Sequence, residues 1–189
     1  FGVEIEEIGT GEIGRRYPHL NLSGVAGGVY LPRDGQGDPG NIALALARVA
    51  RNGGAVIAET VAVTGLRRAG DRVTGVTYAG PDGEGHIACE MVVNCAGMWG
   101  RDVGLMAGIT VPLHACEHFY IVSAPIAGLE QLPVLRVPDE CAYYKVDAGK
   151  LMLGAFEPVS KPWGMNGIPP EFEFDQLPED IDHFEPVLE

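Results

Sequence analysis

Basic residues are scarce in this sequence: 13 Lys and Arg stand against 26 Asp and Glu in 189 residues, a formal net charge of −13. No basic stripe offsets that charge, and no Lys or Arg follows Lys161. Phosphate backbones and anionic lipid surfaces are held by cations, so the composition argues against a nucleic-acid partner and against a membrane surface. Also missing is any apolar run approaching the roughly 20 residues of a membrane helix. The sequence opens on Phe1-Gly2-Val3-Glu4 without a basic, apolar stretch, so no signal peptide is expected within it, and a chain that starts without Met is either processed or part of something longer. Among Cys89, Cys95, Cys116 and Cys141 there is no CxxC pair. A chain of this length needs no disulfide staple, so the four read as small buried hydrophobes in a reducing compartment, with a cytoplasmic location expected. Eight acidic residues between Glu171 and Glu189 read as a solvated tail or helix face.

What is present is ordinary for a globular protein: 46% hydrophobic and 21% charged residues, enough for one sizeable core or two small domains. Leu20-Asn21-Leu22 and Gly27 to Leu31 have strand character. After a loop rich in Gly, Asp and Pro, Asp38-Pro39 suits a helix start. Ile42, Leu46, Val49 and Ala50 then share one helical face, and Gly53-Gly54 ends the helix. Strands are expected at Ala55 to Thr64, Arg72 to Tyr78 and His86 to Asn94, with a turn at Pro81-Asp82-Gly83. Met91-Val92-Val93 reads as a strand buried on both faces. It runs into Asn94-Cys95-Ala96-Gly97, whose small residues allow a ligand to approach the backbone. A short helix at Gly100 to Ala107 follows. Strands are then expected at Val111 to Ser123, Val134 to Val137 and Ala142 to Ala155, with a last helix through Ile181, Phe184, Val187 and Leu188 that Pro186 shortens or kinks. The fold class is mixed α/β: an α/β segment at 35–108 interleaved with sheet-rich segments at 1–34 and 109–189.

The sequence resembles the D-amino-acid oxidase superfamily of FAD-dependent oxidoreductases, and within it the dimethylglycine/sarcosine dehydrogenase branch. The resemblance is carried by Gly28-Val29-Tyr30-Leu31-Pro32-Arg33-Asp34-Gly35, Val61-Ala62-Val63-Thr64-Gly65 and Val92-Val93-Asn94-Cys95-Ala96-Gly97-Met98-Trp99. It continues through Glu117-His118-Phe119-Tyr120-Ile121-Val122, Tyr143-Tyr144 and Leu153-Gly154-Ala155-Phe156-Glu157-Pro158, in order from about Tyr17 to Pro158. It implies that 35–108 is part of an FAD-binding, Rossmann-like domain and that the flanking segments belong to an antiparallel substrate domain. It also implies missing N- and C-terminal parts of the same polypeptide, including the strand–GxGxxG–helix that holds the FAD pyrophosphate. The one formal match, Gly9-Thr10-Gly11-Glu12-Ile13-Gly14, lacks an apolar strand before it and an apolar helix after it, and reads as a loop. FAD is therefore expected in the full-length protein and not in this chain alone. A fused folate-binding aminomethyltransferase domain often follows in this branch.

The implied reaction is oxidation of a secondary or tertiary amine, with hydride leaving an N-methyl carbon for the flavin and the resulting imine hydrolysing. By resemblance Val63 lies beside the adenine and Ala96 and Gly97 beside the ADP portion, with Trp99 close enough to touch the cofactor. The plainer alternatives are a core valine, an ordinary strand-to-helix turn and a packing indole. His114, Cys116 and His118 alternate on one strand face, but successive same-face residues are about 7 Å apart and do not converge on a metal. The resemblance places that strand above the flavin, so His118 is a candidate catalytic residue and a structural histidine is its alternative. Tyr143 and Tyr144 are the other catalytic candidates. Neighbouring strand residues face opposite sides, so at most one lines the site. Arg33, Arg136 and Lys145 are candidate partners for a substrate carboxylate. Two rival readings remain: a non-catalytic scaffold derived from this fold, and another oxidase of the superfamily, such as a glycine oxidase or a glycerol-3-phosphate dehydrogenase.

Overall fold

The computed structural model describes residues 2–129 and 131–188, so Phe1 and Glu189, the last residue of the acidic tail, lie outside the described residues. In chain order the elements are β1 (Glu6–Ile8), α1 (Thr10–Arg16), β2 (Gly28–Tyr30), α2 (Pro39–Asn52), β3 (Ala62–Ala69), β4 (Arg72–Gly80) and β5 (Gly83–Ala88). They continue with α3 (Gly100–Met106), β6 (Ala115–Cys116), β7 (Tyr120–Val122), β8 (Leu135–Val137), β9 (Ala142–Asp147), β10 (Lys150–Ala155), β11 (Pro162–Trp163) and α4 (Ile181–Leu188). This is the expected mixture of helices and antiparallel strands. The chain forms two compact units, one of residues 1–39, 118–160 and 178–189, the other of 40–117 and 161–177.

The first unit is built on a four-stranded antiparallel sheet in the order β7-β10-β9-β8. Its hairpin β9–β10 closes through Ala148 and Gly149, at φ 49° and 73°. Positive φ at both central positions is what a two-residue turn of type I′ requires, and its backbone twist matches that of the strands. The turn fixes the register Asp147↔Lys150, Lys145↔Met152 and Tyr143↔Gly154. Cross-strand partners point the same way, so Arg136, Tyr143, Gly154 and Tyr120 form one row across the open face. The opposite face carries Ala142, Val146 and Ala155, all buried. Phe184 of α4 is buried in the same unit, at 1% exposed. α4 runs through Pro186.

In the second unit, β3, β4 and β5 form an antiparallel meander, and β6 pairs with β11. α2 ends as its two glycines lead one to expect. Gly54 sits at φ 92°, its N–H donates to Arg51, and Ala55 N–H reaches back to the Ala50 carbonyl at 3.0 Å. α3 packs closely on the segment after it. A Cβ on Gly104 would be 3.0 Å from the Ile109 carbonyl and would crowd Val111.

Several expectations are corrected. The strand expected at Ala55 to Thr64 begins only at Ala62 and runs to Ala69, and residues 91–94 are not a strand. Val56, Met91 and Val93 are 94%, 84% and 82% exposed, not buried on both faces. Strands exist only where neighbours take their backbone bonds, and no strand among the described residues pairs with these segments. The stretch Val111 to Ser123 yields only β6 and β7, because the two pair with different partners, β11 and β10. Leu20 to Leu22 forms no strand. Gly9 to Gly14 is not a loop: α1 starts at Thr10, with Glu12 ion-paired to Arg15 and Arg16. Cys95 and Cys116 are exposed; all four cysteines are free.

Candidate functional site

The open face of the β7-β10-β9-β8 sheet gathers aromatic and cationic side chains around one point. Tyr143 hydroxyl and His118 Nε2 are 3.1 Å apart, a hydrogen bond whose direction follows the imidazole tautomer. Phe156 stacks on His118 at 4.9 Å between centroids and tilts against Tyr143 at 5.5 Å. Three rings thus form one wall, and Arg136, the cross-strand partner of Tyr143, hangs over it. The Arg136 guanidinium carbon lies 5.3 Å from the Phe156 centroid and 5.8 Å from that of Tyr143. Lys145 shares the face, opposite Met152.

The wall depends on a missing side chain. Tyr143 lies flat across Gly154, and a Cβ there would fall within the Tyr143 ring. Burial raises the Tyr143 pKa, Tyr120 and Glu157 add to the rise, and Arg136 opposes it. The phenol therefore keeps its proton at neutral pH. It donates to Nε2 in one tautomer of His118; in the other, Nε2–H donates to the hydroxyl and frees the phenol proton for a second acceptor.

Tyr144 points to the opposite face. It lines a cavity of about 350 Å³ with Tyr17, Leu135 and Leu151. Burial raises its pKa and Glu140 adds to that; burial, then Tyr144, does the same for Tyr17. Among the three carboxylate-partner candidates, Arg33 is paired with Glu4 at 3.1 Å, whereas Arg136 lies over the three-ring wall. Among the catalytic candidates the structure therefore brings together His118 and Tyr143, and leaves Tyr144 behind the sheet.

The cofactor candidates belong to the other unit. Val63 lies on β3 opposite Tyr78, beside a bulge, and is 43% exposed. Ala96, Gly97 and Trp99 form one turn into α3. Asn94, which carried no role in the sequence reading, pins it: its amide donates to the Gly100 carbonyl at 2.8 Å and its oxygen accepts from Ala96 N–H at 3.2 Å. Gly97 is at φ 54° with open space where a Cβ would stand, and Trp99 is 40% exposed. An approachable backbone beside an exposed indole fits the flat, hydrogen-bonding adenosine end of a flavin nucleotide. The first turn of α1 does not fit its pyrophosphate, because Glu12 sits there.

The roles of Phe156, Gly154 and Asn94 were missed in the sequence. The signal for Gly154 was present: counting back from a two-residue turn at Ala148-Gly149 sets it opposite Tyr143.

A family model described as FAD dependent oxidoreductase matches residues 1–189. The chain is 38% identical over 187 residues, 98% of its length, to 4-methylaminobutanoate oxidase (formaldehyde-forming) of Paenarthrobacter nicotinovorans, covering 22% of that protein. It is 37% identical over 162 residues, 83% of its length, to human mitochondrial sarcosine dehydrogenase, covering 17% of it. It is 34% identical over 191 residues, 99% of its length, to the mouse mitochondrial pyruvate dehydrogenase phosphatase regulatory subunit, covering 21% of it. The chain thus spans about a fifth of the length of these relatives. Among solved structures, L-proline dehydrogenase from P. horikoshii superposes with a TM-score of 0.75 at 24% identity, over 100% of this chain and 47% of that one.

Proposed function

The chain belongs to the FAD dependent oxidoreductase family, and from that premise we propose that it carries the substrate wall of a flavoenzyme oxidising a secondary or tertiary amine such as an N-methylated amino acid. The observation that carries this is the His118–Tyr143 hydrogen bond under Phe156 and Arg136 on an open sheet face. In this reading the segments 1–34 and 109–189 belong to the substrate domain and 35–108 to the FAD-binding domain. Val63, Ala96, Gly97 and Trp99 hold the nucleotide. When bound, the flavin supplies the two-electron acceptor for amine oxidation.

The chain's own residues bind, orient and exclude water. The Tyr143 and Phe156 rings give a small aliphatic amine an apolar wall. The Tyr143 hydroxyl accepts from the amine N–H and, in the tautomer with Nε2 unprotonated, donates its own proton to His118 Nε2, so a proton released by the amine can pass through the hydroxyl to the imidazole. Arg136 takes the substrate carboxylate through its two-pronged guanidinium. Tyr144 is a packing residue behind the sheet. Sarcosine dehydrogenase and 4-methylaminobutanoate oxidase, by their names, act on methylated amino acids, which supports a substrate with an N-methylamine at one end and a carboxylate at the other. We place the protein in the cytoplasm on its four free cysteines; the named mitochondrial relatives make the mitochondrion the competing compartment. A folate-binding domain fused in the same polypeptide is the partner that fits release of a one-carbon unit.

The similarity to a phosphatase regulatory subunit favours one second reading, a non-catalytic member of the family. Steady-state oxidation of N-methylated amino acids by the full-length protein separates the two. The flavoenzyme reading expects turnover, and expects Arg136→Met to raise KM for a carboxylated amine by roughly tenfold or more while leaving KM for its decarboxylated analogue unchanged. No turnover of any N-methylated amino acid, with flavin bound, favours the regulatory reading.

A further inference from the structure

Behind the three-ring wall lies a second pair of groups that the proposed reaction does not use. Glu157 follows Phe156, and its side chain is only 7% exposed. His183 of α4 approaches it, with Nε2 4.0 Å from Glu157 Oε1. Both atoms are buried, and neither has a hydrogen-bond partner among the described residues. At 4.0 Å the two face each other just beyond hydrogen-bond reach, and they carry opposite charges when the imidazole is protonated. A carboxylate taken out of water without a partner is costly, so each side chain is the other's natural counterpart.

The backbone ties this pair to the wall. His118 and Phe156 stack on the open face, while their chain neighbours Phe119 and Glu157 meet His183. Phe119 meets the His183 ring edge-on at 6.1 Å. The Phe119 carbonyl accepts from Ala155 N–H at 3.3 Å, and Phe156 N–H donates to the Cys141 carbonyl at 2.7 Å. α4 is itself held by the buried Phe184 and by His183 N–H donating to Asp180 at 3.2 Å. Glu157 and His183 are thus linked through the backbone to two of the three rings of the wall, His118 and Phe156.

We propose that Glu157 and His183 are a buried positioning pair, which locks the sheet end carrying His118 and Phe156 against α4 and so sets the approach of His118 to Tyr143. The proposal rests on the flavoenzyme reading for its kinetic consequence but not for its geometry. One electrostatic consequence is separable from packing. Tyr143 is faced by His118, Tyr120 and Arg136, with Glu157 behind them and Lys145 farther along the same strand face. The negative charge of Glu157 disfavours the phenolate. Removing that charge must lower the pH at which Tyr143 ionises.

The test uses Glu157→Gln in the full-length protein, which keeps shape and removes charge. The Tyr143 tyrosinate signal is isolated as the ultraviolet titration lost in Tyr143→Phe. The expected result is a tyrosinate midpoint at lower pH than in the parent, with kcat reduced by roughly tenfold or more and KM for the N-methylated amino acid nearly unchanged. An unmoved midpoint with unchanged kcat in a folded Glu157→Gln overturns the proposal, as does a change confined to KM. Should Glu157→Gln not fold, Glu157→Gln with His183→Gln replaces the pair by two amides and is read by kcat and KM, because it removes both partners' side-chain charges. If that variant also fails to fold, the pair is purely structural and the proposal falls. If the parent oxidises no N-methylated amino acid, the functional reading falls instead. The tyrosinate titration needs no substrate and still decides whether Glu157 acts on Tyr143.

Discussion

At the scale of single residues, the candidate site turns on a glycine. Tyr143 can cover the sheet only because Gly154, its cross-strand partner, has no side chain. The neighbouring pair Tyr144↔Leu153 carries a full side chain on both sides, and there the tyrosine stands against a cavity instead. The two tyrosines are thus separated by what lies opposite them as much as by strand alternation. Gly154→Ala is expected to push the Tyr143 ring off the sheet and out of reach of His118. The expected cost is about 1–3 kcal/mol in stability by chemical denaturation, the range for an overpacked site. Leu153→Ala, on the other face, is expected to leave the His118–Tyr143 contact intact. A stable Gly154→Ala protein with unaltered amine oxidation would show that Tyr143 does not need that space.

At the scale of elements, the hairpin β9–β10 positions the whole face, and its turn holds a non-glycine residue in a conformation that disfavours a Cβ. Ala148 sits at φ 49° beside Gly149 at φ 73°. Asn tolerates that region better than Ala, so Ala148→Asn is expected to stabilise the hairpin by part of the roughly 1–2 kcal/mol that a left-handed backbone costs an ordinary residue, read as a shift in the denaturation midpoint. A loss of stability would mean the turn is held by something other than its backbone preference. α2 was legible in the sequence, because a 3.6-residue apolar period and paired terminal glycines are local signals; β9 and β10 were legible as strand content over Ala142 to Ala155, without the turn at Ala148-Gly149 that makes them a hairpin. The strands at Ala55 to Val61 and Met91 to Asn94 were not correctly legible. Their apolar runs are real, but strand state depends on neighbours, and no described strand supplies one. The helix at Thr10 was missed because three glycines read as a loop, while the Glu12 pairing with Arg15 and Arg16, at i,i+3 and i,i+4, was not weighed. At the site, the resemblance named His118 and both tyrosines, but only cross-strand register separates Tyr143 from Tyr144.

At the scale of the whole molecule, the two units differ in what they leave uncovered. The first buries Val146, Ala155 and Phe184 and opens a face of aromatic and cationic groups. The second leaves apolar side chains outside, with Leu46 and Val49 of α2 at 66% and 68% exposed besides Met91 and Val93. Apolar surface of that kind marks a place where other protein packs, which accords with a chain spanning about a fifth of its relatives' length. No helix among the described residues is long and apolar enough to cross a membrane. The central claim concerns the other, polar face, and the most direct test compares the two tyrosines in the full-length flavoprotein. The rate of anaerobic flavin reduction is measured against concentration of an N-methylated amino acid for the parent, Tyr143→Phe and Tyr144→Phe. The account predicts that Tyr143→Phe loses rate or affinity by at least about 1 kcal/mol, the worth of one hydrogen bond, while Tyr144→Phe reduces its flavin as the parent does. A loss in Tyr144→Phe with none in Tyr143→Phe, or no difference among the three proteins, would contradict it.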